Sequence, residues 1–162
     1  MTELLYRVTE DDRVVGSVDR ETAHRDGVLH RSGTVFVRRS DGRLLLQRRS
    51  PAKRIFPDRY ECSAAFHVTF GESYEQAAER ELREETGLSA PVRWLGKFVH
   101  HDPPEHQVVA VFGSVSDAPV TVDPAEAIGH LWCAPDEVDR ILRDAPVTPW
   151  LRDGWPLARL RL

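Results

Sequence analysis

The stretch FHVTFGESYEQAAERELREETGL, residues 66–88, holds the clearest helix in the sequence and its densest negative charge. Ser73 followed three positions later by Gln76 is the capping-box pattern of a helix start. Gly87 is typical of a left-handed helix end. The sequence therefore predicts a helix over residues 74–86. Three glutamates lie within five positions near its end: Glu81, Glu84 and Glu85.

These three carboxylates work against the helix that carries them. Residues three and four apart are helical neighbours, so Glu81 faces both Glu84 and Glu85, and each like-charge pair costs roughly 0.2–0.5 kcal/mol. Negative charge in the last turn also opposes the helix dipole, by about 0.3–1 kcal/mol per group. A hard divalent cation such as Mg²⁺, which takes oxygen ligands, would turn this cost into a net stabilisation of the helix end.

A charged, solvated helix face is the alternative interpretation. Glu79 with Arg83 and Arg80 with Glu84 have the spacing of helical ion pairs, and most charge-rich helices are no more than this. Of the three crowded acids, Glu84 alone has a base four residues before it. The position of the acids at the negative end of the dipole therefore favours a cation site.

Strand patterns dominate the rest of the chain. Within residues 33–50, two β-prone runs flank Ser40-Asp41-Gly42, which predicts a hairpin, and residues 8–20 predict another around an acidic turn. Residues 50–57 carry two prolines and are predicted to form a loop. Further strands are expected within residues 59–68, 92–101, 107–115 and 127–133, a helix at 134–142, and a short last helix from Pro149.

The composition indicates a globular protein rather than a disordered or fibrous one. The 162 residues are 41% hydrophobic and 30% charged, with a net charge of −4. We expect a single domain over residues 1–162, with its strands layered between helices. Net acidity argues against a nucleic-acid polymer as a partner. No window approaches the roughly 18 apolar residues of a membrane span, so no membrane association is expected.

Cysteine usage and the N-terminus predict a cytoplasmic protein. Cys62 and Cys133 do not make a disulfide framework, and their spacing is not that of a zinc site. The first residues are too acidic and too briefly apolar for a signal peptide. If the chain forms an oligomer, a homodimer with an isologous interface is the commonest arrangement.

Residues 66–88 resemble the Nudix box, the signature of the Nudix hydrolase family. Its pattern is Gly, five residues, Glu, seven residues, Arg-Glu, an aliphatic residue, any residue, Glu-Glu, any residue, Gly and an aliphatic residue. Eight of the nine defined positions match, and Phe66 stands in place of the first glycine. The matching residues are Glu72, Arg80, Glu81, Leu82, Glu84, Glu85, Gly87 and Leu88.

The resemblance implies an α+β fold, an α/β/α sandwich around a mixed β-sheet. It also implies a hydrolase that uses Mg²⁺ or Mn²⁺ to cleave a diphosphate linkage attached to another group X. The implied substrate is a small-molecule diphosphate, such as a nucleoside diphosphate derivative. By position, the implied metal ligands are Glu72, Glu81, Glu84, Glu85 and a backbone carbonyl of Ala65 or Phe66.

The catalytic residues implied by the family are not all in the box. Arg80 is expected to orient the carboxylates, and Glu84 or Glu85 to serve as ligand or base. Glu126 lies outside the box, where many relatives carry a further catalytic acid. An exposed loop residue is the alternative interpretation of Glu126, and the identity of the general base stays open among these glutamates.

A longer resemblance, to the branch of the family related to isopentenyl diphosphate isomerase, covers most of the chain. It rests on three stretches, HRDGVLHR, LLLQRRSPAKRIFPDRY and FHVTFGES. It implies that Arg49 and Lys53 bind the substrate phosphates, and that His67 binds a metal. The other residues at the isomerase's metal positions are His24, His30 and Glu105, with Gln107 in place of a second acid. Structural or solvent-facing histidines are the alternative.

The isomerase reaction needs a cysteine close to His67, and Ala65 occupies that position. Cys62 lies three residues earlier, where strand alternation directs it elsewhere. The sequence therefore favours a hydrolase over an isomerase. A Nudix-fold ligand-binding module without turnover stays an alternative because of Phe66. We expect Phe66 to lie in a strand with negative φ and to narrow or shield the site.

Overall fold

The computed structural model describes residues 2–162, which form nine strands and four helices. Met1, the first residue of the expected domain, lies outside this range. The strands are β1 Leu4–Val8, β2 Val14–Asp19, β3 His30–Arg38, β4 Leu44–Arg49, β5 Tyr60–Glu61, β6 Ala64–His67, β7 Arg93–His100, β8 Gln107–Val115 and β9 Ala127–Cys133. The helices are α1 Arg20–Asp26, α2 Tyr74–Thr86, α3 Pro135–Asp144 and α4 Pro149–Arg161. Within residues 2–162, none of the helices combines the length and apolar character that a membrane crossing requires.

Strand β3 is the centre of one mixed sheet. It pairs antiparallel with β1, β4 and β6 and parallel with β8, while β2, β5, β7 and β9 extend the sheet through their own neighbours. Helix α2 packs on one face of the sheet, and α3 and α4 pack on the other. The predicted α+β class, with a mixed sheet between helices, is confirmed.

Helix α2 has the predicted limits. The Ser73 side chain accepts from the Gln76 amide, the Gln76 side chain closes the capping box, and Gly87 ends the helix at φ 74°. Its apolar face includes Leu82, which is fully buried against the sheet. Because Glu85 lies almost one turn further on, the same face carries this carboxylate inward.

Two helices differ from the sequence-based expectation. Helix α1 was not predicted, since Ala23 is its one buried residue and it therefore lacks an apolar stripe; the Asp19 side chain caps its start and Gly27 ends it at φ 64°. Helix α4 has 13 residues instead of being short. It continues past Pro156, although an interior proline usually ends a helix, because its buried face is anchored in the core.

Phe66 lies in β6 and has no positive φ, so both of those expectations are confirmed. Its ring is buried in the core beneath α2, with Leu82 among its neighbours. The expectation that Phe66 narrows or shields the site is wrong, because alternation along β6 turns its side chain to the face opposite that of Ala65. Across the strand pair, Phe66 faces Gly33, and its ring covers that glycine.

Gly33→Ala is therefore expected to destabilise the protein by about 1–3 kcal/mol, because overpacking forces the core to shift. A Cβ at Gly33 would lie 2.4 Å from Phe66 Cζ. Denaturant unfolding measures the loss. Gly129→Ala is the matched control, since a Cβ there meets no described atom within 4 Å. A Gly33→Ala protein as stable as wild type would contradict the steric role of this pair.

Candidate active site

Arg80 holds three of the box acids together. Its guanidinium donates to both oxygens of Glu72 at 2.7 and 3.0 Å, to Glu81 at 2.6 Å and to Glu84 at 3.4 Å. The hydrogen bonds from Arg80 hold the pKa of Glu72 below its usual value. Glu84 is the most open of the three, with 57% of its side chain exposed. Arg80 thus offsets part of the like-charge repulsion on α2.

Glu85 lacks such a partner. It is 7% exposed, and the Gln47 amide donates to its Oε2 at 3.1 Å, but no basic side chain in the described chain pairs with it. Burial raises the pKa of Glu85 well above its usual value, and three neighbouring carboxylates add to the shift: Glu81, Glu126 and Glu61. A buried carboxylate without a counter-charge is costly. A divalent cation would supply that charge.

A small cavity lies beside Glu85. Its volume of about 10 Å³ is close to that of a single water-sized sphere. It brings together four of the positions singled out from the sequence, namely Arg49, Ala65, Glu85 and Glu126. The full lining is Gln47, Arg49, Glu61, Ala65, Glu85, Glu126 and Ala127.

Of the two predicted phosphate-binding bases, Arg49 lines this cavity, and Lys53 reaches it only through Glu126. Lys53 Nζ donates to Glu126 Oε2 at 2.8 Å, so Glu126 is not simply an exposed loop residue. Arg49 is fixed by a 2.9 Å hydrogen bond from Nε to the Ile55 carbonyl. Arg49 and Lys53 also line an open cleft of about 450 Å³, together with His24. Arg49 therefore lies between the box cavity and the histidines.

The histidines form a second centre. The ligand atoms of His24, His30, His67 and Glu105 all lie within 4.8 Å of one another. His24 Nε2 is 3.1 Å from His67 Nε2, and His24 Nδ1 is 3.2 Å from Glu105 Oε1. His30 is fully buried and His24 nearly so, so the solvent-facing interpretation of these two residues is wrong. Helix α1, which the sequence did not reveal, supplies His24.

These imidazoles have the protonation state that a metal ligand needs. Burial lowers the pKa of His30 to about 4 and that of His67 well below its usual value. His30 Nδ1 donates to the Val28 carbonyl at 2.7 Å, which leaves the lone pair on Nε2. Within residues 2–162, that buried Nε2 has no hydrogen-bond partner. The donor set therefore fits a bound metal ion.

Gln107 fixes the acidic member of the histidine centre. Its amide nitrogen donates to Glu105 Oε2, and its carbonyl oxygen accepts from Ser32 Oγ and from Trp150 Nε1, each at 2.8 Å. The amide is neutral, so Gln107 orients Glu105 and does not act as an acid or base. Trp150, at the start of α4, is a residue that sequence reasoning did not assign to the site.

The box acids are not gathered in the same way. Over the described part of the chain, the histidine centre is the one group of three or more such side chains with all ligand atoms within 4.8 Å. Sequence reasoning also missed Glu61, which is 4% exposed and lines the cavity beside Glu85. Its signal was weak, because a lone glutamate in a short strand has no distinctive spacing. Gln47, its partner across β4 and β5, was missed for the same reason.

Several known proteins are similar to this chain in sequence and in fold. The family model described as NUDIX domain matches residues 28–151. An uncharacterized Nudix hydrolase of Pseudomonas aeruginosa is 33% identical over 161 residues, which cover 99% of this chain and 94% of that protein. A crystal structure of a Deinococcus radiodurans protein has a TM-score of 0.81 and 29% identity, and the match covers 99% of this chain and 100% of the other.

Two further relatives carry more specific names. An isopentenyl-diphosphate Delta-isomerase of Nocardia farcinica is 36% identical over 160 residues, covering 93% of this chain and 91% of that protein. A prenyl-diphosphate phosphatase of Methanosarcina mazei is 32% identical over 157 residues, covering 93% and 92%. The chain belongs to the Nudix family, and its similarity to the isomerase-like branch is confirmed.

His67→Asn is expected to abolish tight binding of a transition-metal ion at the histidine centre, because it removes one of the imidazole ligands. Co²⁺ titration, followed by visible absorption of the bound ion, measures the loss. His130→Asn is the matched control, since His130 lies in β9 outside this centre. Unchanged Co²⁺ absorption and affinity in His67→Asn would contradict the assignment.

Proposed function

We propose that this protein is a metal-dependent pyrophosphohydrolase that cleaves the diphosphate linkage of a small X-linked diphosphate. The observation that carries the proposal is Glu85, a buried carboxylate without a counter-charge beside a cavity of about 10 Å³. Glu85 lies near the end of α2, which carries five of the eight matching positions of the Nudix box. Family membership supports hydrolysis, while the metal and the substrate belong to the proposal.

Glu81 and Glu85 are the proposed side-chain ligands of Mg²⁺ or Mn²⁺, assisted by Glu84, Glu72 and the Ala65 carbonyl. When bound, such an ion neutralises phosphate oxygens and lowers the pKa of the attacking water. Arg80 restrains the acids around it through its hydrogen bonds. Both oxygens of Glu72 already accept from Arg80, so this pair orients the Glu72 carboxylate while a lone pair on Oε1 stays available to a metal ion.

The proton of the attacking water requires a carboxylate within hydrogen-bond reach. Glu84, Glu85 and Glu126 are the candidates for this base. Glu126 is held by Lys53 at 2.8 Å, so an arriving diphosphate competes with Glu126 for the same ammonium group. Transfer of Lys53 to the substrate would free Glu126 at the moment when the phosphates arrive. Arg49, fixed at the cavity rim, provides the second phosphate contact.

We further propose that His24, His30, His67 and Glu105 bind a transition-metal ion. Imidazole nitrogens suit such ions better than they suit Mg²⁺, and Mn²⁺ could occupy either centre. Gln107 positions the carboxylate of this set. The open cleft that contains His24 also contains Arg49 and Lys53, which supports a diphosphate bound between the two centres.

The group X has two candidate classes. A nucleoside or related derivative is the general proposal for a family hydrolase of this kind. A prenyl group is the second candidate, because a relative that matches 93% of the chain is named a prenyl-diphosphate phosphatase. In either case we propose one domain over residues 1–162, acting in the cytoplasm on a small molecule, as a monomer or homodimer.

Three residues argue against isomerase activity: Ala65, Gln107 and Cys62. Ala65 has no proton to transfer, and Gln107 holds a neutral amide where the isomerase has an acid. Cys62 does not compensate, because its sulfur is buried and accepts a hydrogen bond from Thr34 Oγ1. Burial raises the pKa of the Cys62 thiol well above its usual value, which keeps the thiol protonated.

Hydrolysis is tested by incubating the protein with Mg²⁺ or Mn²⁺ and a panel of nucleoside diphosphate derivatives and prenyl diphosphates. We expect cleavage between the two phosphorus atoms, which gives a nucleoside or prenyl monophosphate and the complementary phosphate product, to stop with EDTA and to fall by about 10²-fold or more in Glu85→Gln, which removes a ligand or base. Glu75→Gln, an exposed change on the same helix, should retain full activity.

Release of equal product by Glu85→Gln would contradict the proposal. Absence of turnover on every substrate, together with tight metal-independent binding of one of them, would favour the ligand-binding module. Isopentenyl diphosphate belongs in the same panel, and its conversion to the allylic isomer by the wild-type protein would favour the isomerase.

A further inference from the structure

Two buried oxygen atoms beside the Nudix box have no hydrogen-bond partner within the described chain. They are Glu61 Oε2 and Gln47 Oε1. Glu61 is 4% exposed and Gln47 is 2% exposed, so solvent does not satisfy them. Both residues line the cavity of about 10 Å³ that also contains Glu85. Buried polar atoms are nearly always paired, so two unpaired oxygens in one small cavity require an explanation.

The orientation of Gln47 is determined by its neighbours. Its amide nitrogen donates to the Ser63 carbonyl at 2.6 Å and to Glu85 Oε2 at 3.1 Å. Both partners are acceptors, so a flipped amide would place oxygen against oxygen. The free atom of Gln47 is therefore its carbonyl oxygen, which is a cation ligand and not a donor.

Glu61 is anchored through its other oxygen. Oε1 accepts from Thr148 Oγ1 at 2.6 Å and from the Cys62 amide and thiol, each at 3.2 Å. The three donors fix the carboxylate at the start of α4 and leave Oε2 free. Arg49 Nη1 lies 3.6 Å from Oε2, which is an ion-pair distance but too long for a hydrogen bond.

The charge around the cavity is unbalanced. Glu61 and Glu85 are both buried carboxylates, and Glu126 also lines the cavity. Arg49 is the one basic residue in the lining. Charge, oxygen donors and size all match a small divalent cation with oxygen ligands, for which amide and carboxylate oxygens are the preferred groups.

We propose that Glu61 and Gln47 form a divalent cation site on the sheet side of Glu85, of the Mg²⁺ or Mn²⁺ class. Neither ligand belongs to the box, and both come from the paired strands β4 and β5. The inference rests on the proposed metal-dependent function and extends it. It makes the sheet, and not α2 alone, part of the metal-binding surface.

Mn²⁺ binding, measured by electron paramagnetic resonance, tests the site without reference to activity. The signal of interest is the Mn²⁺ that excess Mg²⁺ displaces, since Mg²⁺ selects oxygen ligands over the histidine centre. Glu61→Gln should weaken this binding about tenfold or more, by loss of a charged ligand. Its amide oxygen can still accept from Thr148, which preserves the start of α4. Glu61→Asp should give an intermediate loss.

Glu75→Gln is the matched control and should bind Mn²⁺ as wild type does. Melting in EDTA separates folding from binding: Glu61→Gln leaves the nearby Arg49 without its acidic partner, so the loss of stability that this causes is measured there without metal, apart from the loss of Mn²⁺ affinity. If Glu61→Gln and Glu61→Asp both keep wild-type affinity and stoichiometry while Glu85→Gln loses them, this inference is overturned and the proposed function stands. If the wild-type protein binds no displaceable Mn²⁺, the proposed function fails with it.

Discussion

The burial of Glu85 is the constraint on which the site depends. Leu82 anchors the last turns of α2 in the core, and the same helix face carries Glu85 against Gln47. Burial alone would favour the neutral acid, as the raised pKa of Glu85 indicates. A cation reverses that preference. The core packing that stabilises α2 therefore also buries the Glu85 carboxylate, whose ionised form then needs a positive charge nearby.

The sheet places the box cavity next to the histidine centre. Residues Ala65 and His67 follow each other at alternate positions of β6, so their side chains share one face, near the box cavity and the histidines respectively. Arg49 lines both the box cavity and the open cleft beside His24. With the proposed metal ions bound, the two centres would be cationic and separated by a basic side chain, an arrangement that suits a diphosphate. In the proposed hydrolase, Ala65 and Gln107 stand where the isomerase pattern implies a cysteine and an acid, so the two groups that could exchange a proton with carbon are absent.

Much of the fold was predictable because local signals and tertiary structure agree. Helix α2 begins and ends where its caps indicate, and Phe66 adopts the strand conformation expected of it. Helix α1 was missed because it carries no apolar stripe, and α4, which was expected to be short, continues past Pro156 because its buried face is anchored in the core. The identities of several site residues followed from family resemblance. Their division into two centres, the box cavity and the histidine centre, did not. Glu61 acquires significance only when strand pairing places it beside Gln47, which no linear pattern records.

The most direct test of the account is the location of bound Mn²⁺ in a crystal that also contains a non-hydrolysable diphosphate analogue. Anomalous scattering identifies the ion independently of any activity. If the box is the catalytic metal site, the peak lies in contact with Glu81 and Glu85, and the phosphates of the analogue lie against Arg49 and Lys53. A peak at the histidine centre alone, with Glu85 still bound only to Gln47, would contradict the central claim that the box is the catalytic metal site.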